Sequence, residues 1–135
     1  MLEGIELFAN LTDSEKETLG LFCQLRNLED NELLFSEDDH ANAMYVVKSG
    51  ALKVYRSRSS GTTVLGYVGQ GEIVGEMALF GEYPSIRNAS VSAVEPSVLL
   101  VIADYAVKQI SAKHPDLLRK IQTTIELRKQ KNSQK

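Results

Sequence analysis

Residues 71–89, GEIVGEMALFGEYPSIRNA, are the most informative stretch of this chain. Their pattern predicts a short strand, a break at Gly75, one helical turn, a loop and a new strand. Gly75 lets the backbone turn and approach a ligand closely, because glycine adopts positive φ without strain. The helical turn has free N–H groups at its start that can donate to an anion, namely those of Met77, Ala78 and Leu79.

Two charged side chains flank this turn. Arg87 can form a bidentate, charge-assisted pair with a phosphate. Glu76 would repel a phosphate, but it can accept hydrogen bonds from a sugar hydroxyl. Together with the free amides, the two side chains suit a ribose that carries a singly charged phosphate diester. The plain alternatives are a surface carboxylate at Glu76, and an Arg87 that is exposed in a loop or paired with Glu76.

The chain around this stretch consists mainly of short runs of β-branched and aromatic residues, separated by turn signals. Such runs predict strands near residues 25–28, 33–35, 44–47, 52–56, 64–68, 73–74, 90–94 and 98–102. About eight short strands with frequent turns favour an antiparallel barrel or sandwich. The connections are too short for the helical crossovers of a parallel sheet.

Helical patterns occupy both ends. Thr12 and Glu15 form a capping-box pattern, which predicts a helix from about Asp13 to Phe22. Asp104 can cap a second helix, and Pro115 suits the first turn of a final one. The apolar stripe of that final helix consists of Leu118, Ile121 and Ile125.

Length and composition predict one globular domain. The chain has 135 residues, of which 43% are hydrophobic and 24% charged. We expect a single domain over residues 1–135, with N-terminal helices in 1–22, a β-roll in 23–103 that contains the binding segment 75–89, and C-terminal helices in 104–135.

Charge is unevenly distributed along the chain. The net charge is −3, yet the last 17 residues carry six basic residues and one acidic residue. A basic tail can contact nucleic acid or a membrane. This tail has no aromatic residue to stack on bases and no broad apolar face, so a solvated helix end is favoured and direct DNA binding is not expected.

Several classes of protein are disfavoured by what the sequence contains. No apolar run reaches the roughly 20 residues of a membrane span, and the N-terminus does not resemble a secretory signal. The single cysteine, Cys23, fits a reducing compartment, so a cytoplasmic location is expected. His40 and His114 lie far apart and belong to no catalytic or metal-binding signature. We therefore expect no enzymatic activity, no metal and no cofactor.

Residues 71–89 resemble the cyclic nucleotide-binding domain family, the regulatory domains of bacterial catabolite activator proteins, cyclic-nucleotide-dependent kinases and cyclic-nucleotide-gated channels. The phosphate-binding cassette of that family is matched here by VGEMALF, GEYPSI and RNA. Other family motifs are matched in the correct order by LFANLTDSE, ELLFSEDDHANAMYVVKSGALKVYR, QGEIVGE and HPDLLRKI. The resemblance implies a mainly-β, jelly-roll-like barrel (a double-stranded β-helix) with flanking helices, the last of which closes as a lid.

The resemblance also implies roles for individual residues. Glu76 would bind the ribose 2′-hydroxyl, and Arg87 would pair with the cyclic phosphate. The binding segment that holds them also contains Gly75, Met77, Ala78, Asn88 and Ala89, and backbone amides at Ala78 and at Asn88 or Ala89 would complete the phosphate site. The purine would pack on Val54, on Leu65 and on the lid helix, where Asn132 and Ser133 fall near the positions of base-contacting polar residues.

The cassette departs from the family pattern in three places. Glu76 and Arg87 are eleven positions apart, which is longer than usual, because Ser85 and Ile86 separate Pro84 from the arginine. Asn88 replaces a small or hydroxyl residue, and a hydroxyl there favours cyclic GMP in some members. Asn31 and Asp38 replace two family glycines, but both residue types tolerate a left-handed backbone.

The sequence therefore predicts a regulatory module that senses a cyclic purine nucleotide, with cyclic AMP preferred to cyclic GMP. Its last helix would transmit binding to an output domain or a partner protein. That helix is expected to form a weak homodimer or none, because its apolar stripe covers only about two turns. An alternative is a degenerate fold that binds no nucleotide and mediates protein contacts. A cupin-like metalloenzyme is disfavoured because histidines do not cluster.

Overall fold

The structure, a computed structural model, describes residues 2, 4–80 and 85–133; the side chains of Ala78 and of residues 131–133 lie outside that description. The described residues form eight strands, which pair into two sheets. The strands are β1 (Cys23–Leu28), β2 (Leu33–Phe35), β3 (Ala43–Ser49), β4 (Leu52–Arg58), β5 (Gly61–Val68), β6 (Ile73–Val74), β7 (Ser90–Ala93) and β8 (Ser97–Ala103).

The two sheets are antiparallel and have four strands each. Their strand orders are β1-β8-β3-β6 and β2-β7-β4-β5. Apart from the hairpin of β4 and β5, strands that are neighbours in a sheet are distant in sequence, as in the pairing of Cys23 with Ile102 and of Leu52 with Ala93. This arrangement of two interleaved sheets with helices at both ends confirms the predicted jelly-roll-like fold.

The first helix, α1 (Asp13–Gly20), begins at the predicted capping box. Glu15 N–H donates to Thr12 Oγ1 at 3.1 Å, and Thr12 N–H donates to Glu15 Oε1 at 2.9 Å. The prediction that the helix reaches Phe22 is wrong, because Leu21 and Phe22 instead form a turn that leads into β1. Leu21 is 79% exposed, so burial does not hold it in the helix.

Two helices follow the sheets: α2 (Asp104–Lys113) and α3 (Pro115–Ser133). The buried face of α3 contains Leu117, Ile121 and Ile125. The predicted stripe placed Leu118 on that face, but Leu118 is only half-buried. None of the helices described has the length and apolar character that crossing a bilayer requires.

The apolar interior has two parts. One lies between the two sheets and includes Val47, Leu52, Val91 and Leu99. The other lies between the first sheet and the helices, and its members include Phe8, Met44, Leu100 and Ile121. Strand β3 alternates between them, with Val46 in the second part and Val47 in the first, so it joins the helices to the barrel interior.

Asn31 and Asp38, which replace two glycines of the family pattern, adopt a left-handed backbone conformation. Their φ values are 67° and 76°. Each lies in a turn next to a strand of the second sheet, and Asn31 N–H donates to Ala93 O at 3.0 Å. Asparagine and aspartate accept this conformation more readily than other residues with a side chain.

Candidate functional site

A cleft lies on the second sheet, between the cassette segment and α3. It is lined by residues of β4 and β5, by the short 3-10 turn Met77–Leu79, by the segment before β7 and by one residue of α3. Eight of the nine predicted site residues line this cleft: Val54, Leu65, Gly75, Glu76, Met77, Arg87, Asn88 and Ala89. The ninth, Ala78, lies in the 3-10 turn.

Gly75 is required at its position because the side chain of Arg87 lies against its backbone, which the sequence did not reveal. Its φ is +83°, and a Cβ added there would lie 2.8 Å from Arg87 Nη1 and 3.2 Å from Tyr45 Cδ2. Its carbonyl accepts a hydrogen bond from Arg87 Nη1 at 2.7 Å. Gly75 therefore makes room for the arginine of the site, in addition to turning the chain.

The guanidinium of Arg87 is buried and held on several sides. The residue is 3% exposed, so the alternative of an exposed loop arginine is wrong. Its Nη2 donates to Ala43 O at 2.8 Å, and its Cζ lies 4.1 Å from the ring centroid of Phe35 and 5.7 Å from that of Tyr45. Burial lowers the pKa of Arg87. Arginine nevertheless stays charged at neutral pH, because its ordinary pKa lies far above neutrality.

One donor of Arg87 remains without a partner. Its Nε is buried and makes no hydrogen bond within the described residues. Leaving a buried donor unpaired is unfavourable, and more so for a charged group. The arginine is therefore fixed in place by its two carbonyl acceptors, while its Nε has no acceptor among the described residues.

The backbone of Arg87 is fixed by the turn at residues 36–39. Arg87 N–H donates to Asp39 O at 2.8 Å, and Asp38 N–H donates to Arg87 O at 2.8 Å. Nearby, Ala41 N–H donates to Ser85 O at 2.9 Å. The lengthened cassette loop includes Gly81–Pro84, which lie outside the described residues. The direction of Arg87 is thus determined by a separate part of the chain.

Glu76 is also buried, with 1% of its surface exposed, so the alternative of a surface carboxylate is wrong. Its Oε1 accepts a hydrogen bond from Arg128 Nη1 of α3, and the two side chains form an ion pair. Arg128 Nη2 donates to Ile73 O at 2.6 Å. The other carboxylate oxygen of Glu76, Oε2, is buried without a partner in the described residues.

Sequence reasoning missed Arg128, although a signal for it exists. The buried positions of α3 are 117, 121 and 125, and position 128 continues the same helix face. The residues proposed from the resemblance, Asn132 and Ser133, belong to the end of α3, and their side chains are among those not described.

The backbone amides of the 3-10 turn are not all available. Leu79 N–H donates to Glu76 O at 3.2 Å, so the prediction that it is free for an anion is wrong. On the opposite wall, Asn88 donates from Nδ2 to Met77 Sδ at 3.4 Å, and its carbonyl accepts from Arg56 Nε at 2.8 Å. The side chain of Asn88 therefore links the two cassette halves across the cleft.

Other residues singled out in the sequence lie away from the cleft. Cys23 is buried, donates to Leu19 O at 3.3 Å, and has its pKa raised by burial to about 11. His114 Nε2 is hydrogen-bonded to Glu15 Oε2, which joins the start of α3 to α1. Within residues 2, 4–80 and 85–133, no three His, Cys, Asp or Glu side chains cluster in a way that could hold a metal ion.

The chemistry of the cleft is that of recognition. Glu76 contributes one negative charge, and Arg87 and Arg128 contribute one positive charge each, so these three side chains leave one positive charge for a ligand to neutralise. The walls formed by Val54 and Leu65 are apolar and suit a flat ring. A suitable ligand has one negative charge, a hydroxyl that donates to Glu76 and an apolar face.

Comparison with known proteins identifies relatives of this chain. Residues 25–114 match the family described as "Cyclic nucleotide-binding domain". The cyclic AMP receptor protein of Thermus thermophilus is 32% identical over 102 residues, which cover 75% of this chain and 46% of that protein. The neuropathy target esterase of Drosophila melanogaster is 27% identical over 137 residues, which cover 97% of this chain and 10% of the esterase.

A solved structure agrees with these sequence relatives. The regulatory domain of Toxoplasma gondii PKA, crystallised with cAMP, superimposes with a TM-score of 0.68 and 29% identity over 77% of this chain and 39% of that one. The chain spans less than half the length of both sequence relatives. The family match covers two thirds of the chain and includes Glu76 and Arg87, so this chain belongs to the cyclic nucleotide-binding domain family.

Proposed function

We propose that this chain binds a cyclic purine nucleotide, cyclic AMP in preference to cyclic GMP, and transmits that binding through α3. One observation carries the proposal: Glu76 Oε2 and Arg87 Nε, two buried polar atoms without partners, belong to residues that line the same cleft. The carboxylate oxygen needs a donor, and the guanidinium N–H needs an acceptor. A ribose hydroxyl next to a cyclic phosphate supplies both.

The charge of the site supports a cyclic phosphate over an open one. A cyclic phosphate diester carries a single negative charge, which neutralises the single positive charge left by Glu76, Arg87 and Arg128. An open nucleoside monophosphate carries close to two negative charges at pH 7. The second charge would have no further cation among the described residues that line the cleft, and it would approach the buried carboxylate of Glu76.

The preference for cyclic AMP rests on Asn88 and on the relatives. Asn88 has no hydroxyl, and its amide is engaged with Met77. The relatives include a protein named for cyclic AMP and a kinase regulatory domain crystallised with it. The adenine would lie between the apolar wall at Val54 and Leu65 and the residues of α3.

The ion pair between Glu76 and Arg128 supplies the link from ligand to α3. A ribose hydroxyl that donates to Glu76 changes the environment of the carboxylate that Arg128 contacts. α3 would then shift between two positions, as in a population shift. A ligand that prefers one position by about 100-fold would change the equilibrium by about 2.7 kcal/mol.

The rest of the function lies with a partner. The chain would act in the cytoplasm as a regulatory module without catalytic activity or a cofactor. It would report nucleotide binding to an output domain or to another protein, and it would not contact DNA itself. α3 would form at most a weak homodimer, since Leu127 is its one large hydrophobic side chain exposed among those described.

Calorimetric titration tests the proposal directly. Cyclic AMP should bind more tightly than cyclic GMP, and 5′-AMP should bind more weakly than either. Binding of 2′-deoxy cyclic AMP should be weaker than that of cyclic AMP by about tenfold or more, because Glu76 Oε2 would stay unpaired. In Glu76→Gln this penalty should shrink, since a neutral amide is cheaper to leave unpaired.

The result has a clear negative outcome. If neither cyclic nucleotide binds at millimolar concentration, the proposal is wrong and the degenerate fold becomes the better interpretation. If the ribo and deoxy ligands bind equally, Glu76 is not the ribose acceptor. The variant Glu32→Gln, at a residue whose side chain is 40% exposed and does not line the cleft, is the matched control for removal of one carboxylate.

A further inference from the structure

Two arginines of β4 contact the two segments on either side of Arg87. Arg58 donates from Nη1 and Nη2 to the two carboxylate oxygens of Glu37, at 2.7 and 2.8 Å. Arg56 donates from Nε to Asn88 O at 2.8 Å. The sequence assigned no role to either arginine, and neither lines the cleft.

Glu37 belongs to the turn that holds the backbone of Arg87. The turn is closed by Ser36, whose N–H donates to Asp39 Oδ2 at 2.9 Å and whose carbonyl accepts from Asp39 N–H at 3.1 Å. Glu37 N–H donates to Ser90 Oγ at 2.9 Å, which ties the turn to β7. The same turn supplies the two backbone bonds to Arg87, through Asp38 N–H and Asp39 O.

We propose that Arg56 and Arg58 are positioning residues that hold Arg87 in its binding geometry from both sides. Arg58 fixes the turn at residues 36–39 through Glu37, and that turn fixes the backbone of Arg87. Arg56 fixes the carbonyl of Asn88, the residue that follows Arg87. The effect on affinity rests on the proposed function, while the effect on the Arg87 backbone does not.

The geometry favours positioning over general stabilisation. A bidentate arginine–carboxylate pair is directional, so it restrains where Glu37 can lie. The Arg58 side chain is 54% exposed, and exposed ion pairs contribute little to folding stability. The hydrogen bonds from Arg58 lower the pKa of Glu37, which keeps that carboxylate charged at neutral pH. Loss of the pair should therefore disturb Arg87 more than it disturbs folding.

The experiment compares Arg58→Gln, Glu37→Gln and Arg56→Gln with the control Arg26→Gln. Arg26 forms an exposed ion pair with Glu32 at 3.8 Å on the other sheet. Calorimetry with cyclic AMP and thermal unfolding are measured for each variant. Arg58→Gln, Glu37→Gln and Arg56→Gln should each bind cyclic AMP at least about fivefold more weakly than wild-type protein, because charge-assisted hydrogen bonds depend on geometry. The control should stay within about twofold.

Glu37→Gln separates positioning from simple electrostatics. If Arg58 only attracted the anionic ligand through its charge, removal of the negative charge of Glu37 would strengthen binding. Positioning predicts the opposite, a weaker affinity in Glu37→Gln as in Arg58→Gln. The double variant with Arg58→Glu and Glu37→Arg restores the ion pair with its charges exchanged, so it should recover affinity for cyclic AMP. The proposal is overturned if this double variant does not recover affinity and Glu37→Gln binds more tightly than wild-type protein.

A second measurement does not depend on ligand. Amide hydrogen exchange of Arg87 and Asp38 reports the two backbone bonds between the turn and Arg87. Exchange should become faster in Arg58→Gln and Glu37→Gln and stay unchanged in Arg26→Gln. If wild-type protein binds no cyclic nucleotide, the proposed function fails, while faster exchange still supports positioning. Unchanged exchange in both variants would overturn it.

Discussion

The ion pair between Glu76 and Arg128 should couple α3 energetically to the cleft. In Arg128→Met the aliphatic part of the side chain is largely kept, but the carboxylate of Glu76 loses its cation. Removal of one partner of a buried ion pair costs about 3–5 kcal/mol. Arg128 is 25% exposed, so solvent reduces this cost and we expect a loss of about 2–3 kcal/mol in the free energy of unfolding.

The reverse change should be milder. In Glu76→Gln, Arg128 keeps its bond to Ile73 O and can reach solvent, so a loss of about 1 kcal/mol is expected. The double variant removes both charges of the pair, so neither partner is left behind alone. Its loss should therefore fall short of the sum of the single losses by about 1–2 kcal/mol, which is the coupling energy of the pair.

Urea unfolding at pH 7 measures this cycle, with stability obtained by linear extrapolation. The control is the pair Asp116 and Arg119 on the same helix, 3.2 Å apart and exposed by 65% and 71%. Its cycle with Asp116→Asn and Arg119→Met should give a coupling of at most about 0.5 kcal/mol. Equal coupling in the two cycles would refute the reasoning, because it would mean that Arg128 does not rest on a buried carboxylate.

Four further changes test other parts of the structure. Gly75→Ala should lower stability by about 2–4 kcal/mol in urea unfolding, since it adds positive-φ strain to a contact with Arg87. Arg87→Ala should lower stability and also weaken cyclic nucleotide binding by about 2–5 kcal/mol in calorimetry, because a desolvated phosphate loses its charged partner. Cys23, with its pKa raised to about 11, should resist a thiol reagent at pH 8 in the folded protein and react in urea. The pKa of Glu37 is lowered by Arg58, so their ion pair stabilises the fold above pH 4.5, and this stabilisation is lost as the pH falls through the pKa of the folded state. In thermal unfolding, wild-type protein should therefore lose more stability than Glu37→Gln between about pH 6 and pH 3.

The β-roll could be predicted from sequence because its signal is local. Strand length, alternation and turn residues are properties of short windows, and the number of strands and their positions along the chain follow from them. The buried face of α3 was harder to predict from the sequence. Leu117 and Leu118 are adjacent, and either one continues the stripe of Ile121 and Ile125 at helical spacing. Packing against the first sheet selects Leu117, and a sequence window contains no information about that sheet.

The site likewise has a part that local sequence predicts and a part that depends on distant segments. That Glu76 and Arg87 line one cleft could be predicted because the cassette keeps them within one short segment. The partners that bury them are distant in sequence: Ala43 lies 44 positions from Arg87, and Arg128 lies 52 positions from Glu76. Periodicity and motif spacing cannot predict such contacts, since they depend on how the sheets and α3 come together.

Glu76 and Arg87 differ in how many of their polar atoms have partners before any ligand binds. Arg87 already has two carbonyl acceptors, two aromatic neighbours and a backbone fixed by a separate turn, so a ligand adds a contact but has little freedom to move it. Glu76 is held by one partner, and that partner belongs to α3. Under the proposed function, the phosphate end of the ligand therefore binds to a preorganised group, which favours affinity. The ribose end meets a group whose neighbour can rearrange, so the signal to α3 should begin at Glu76.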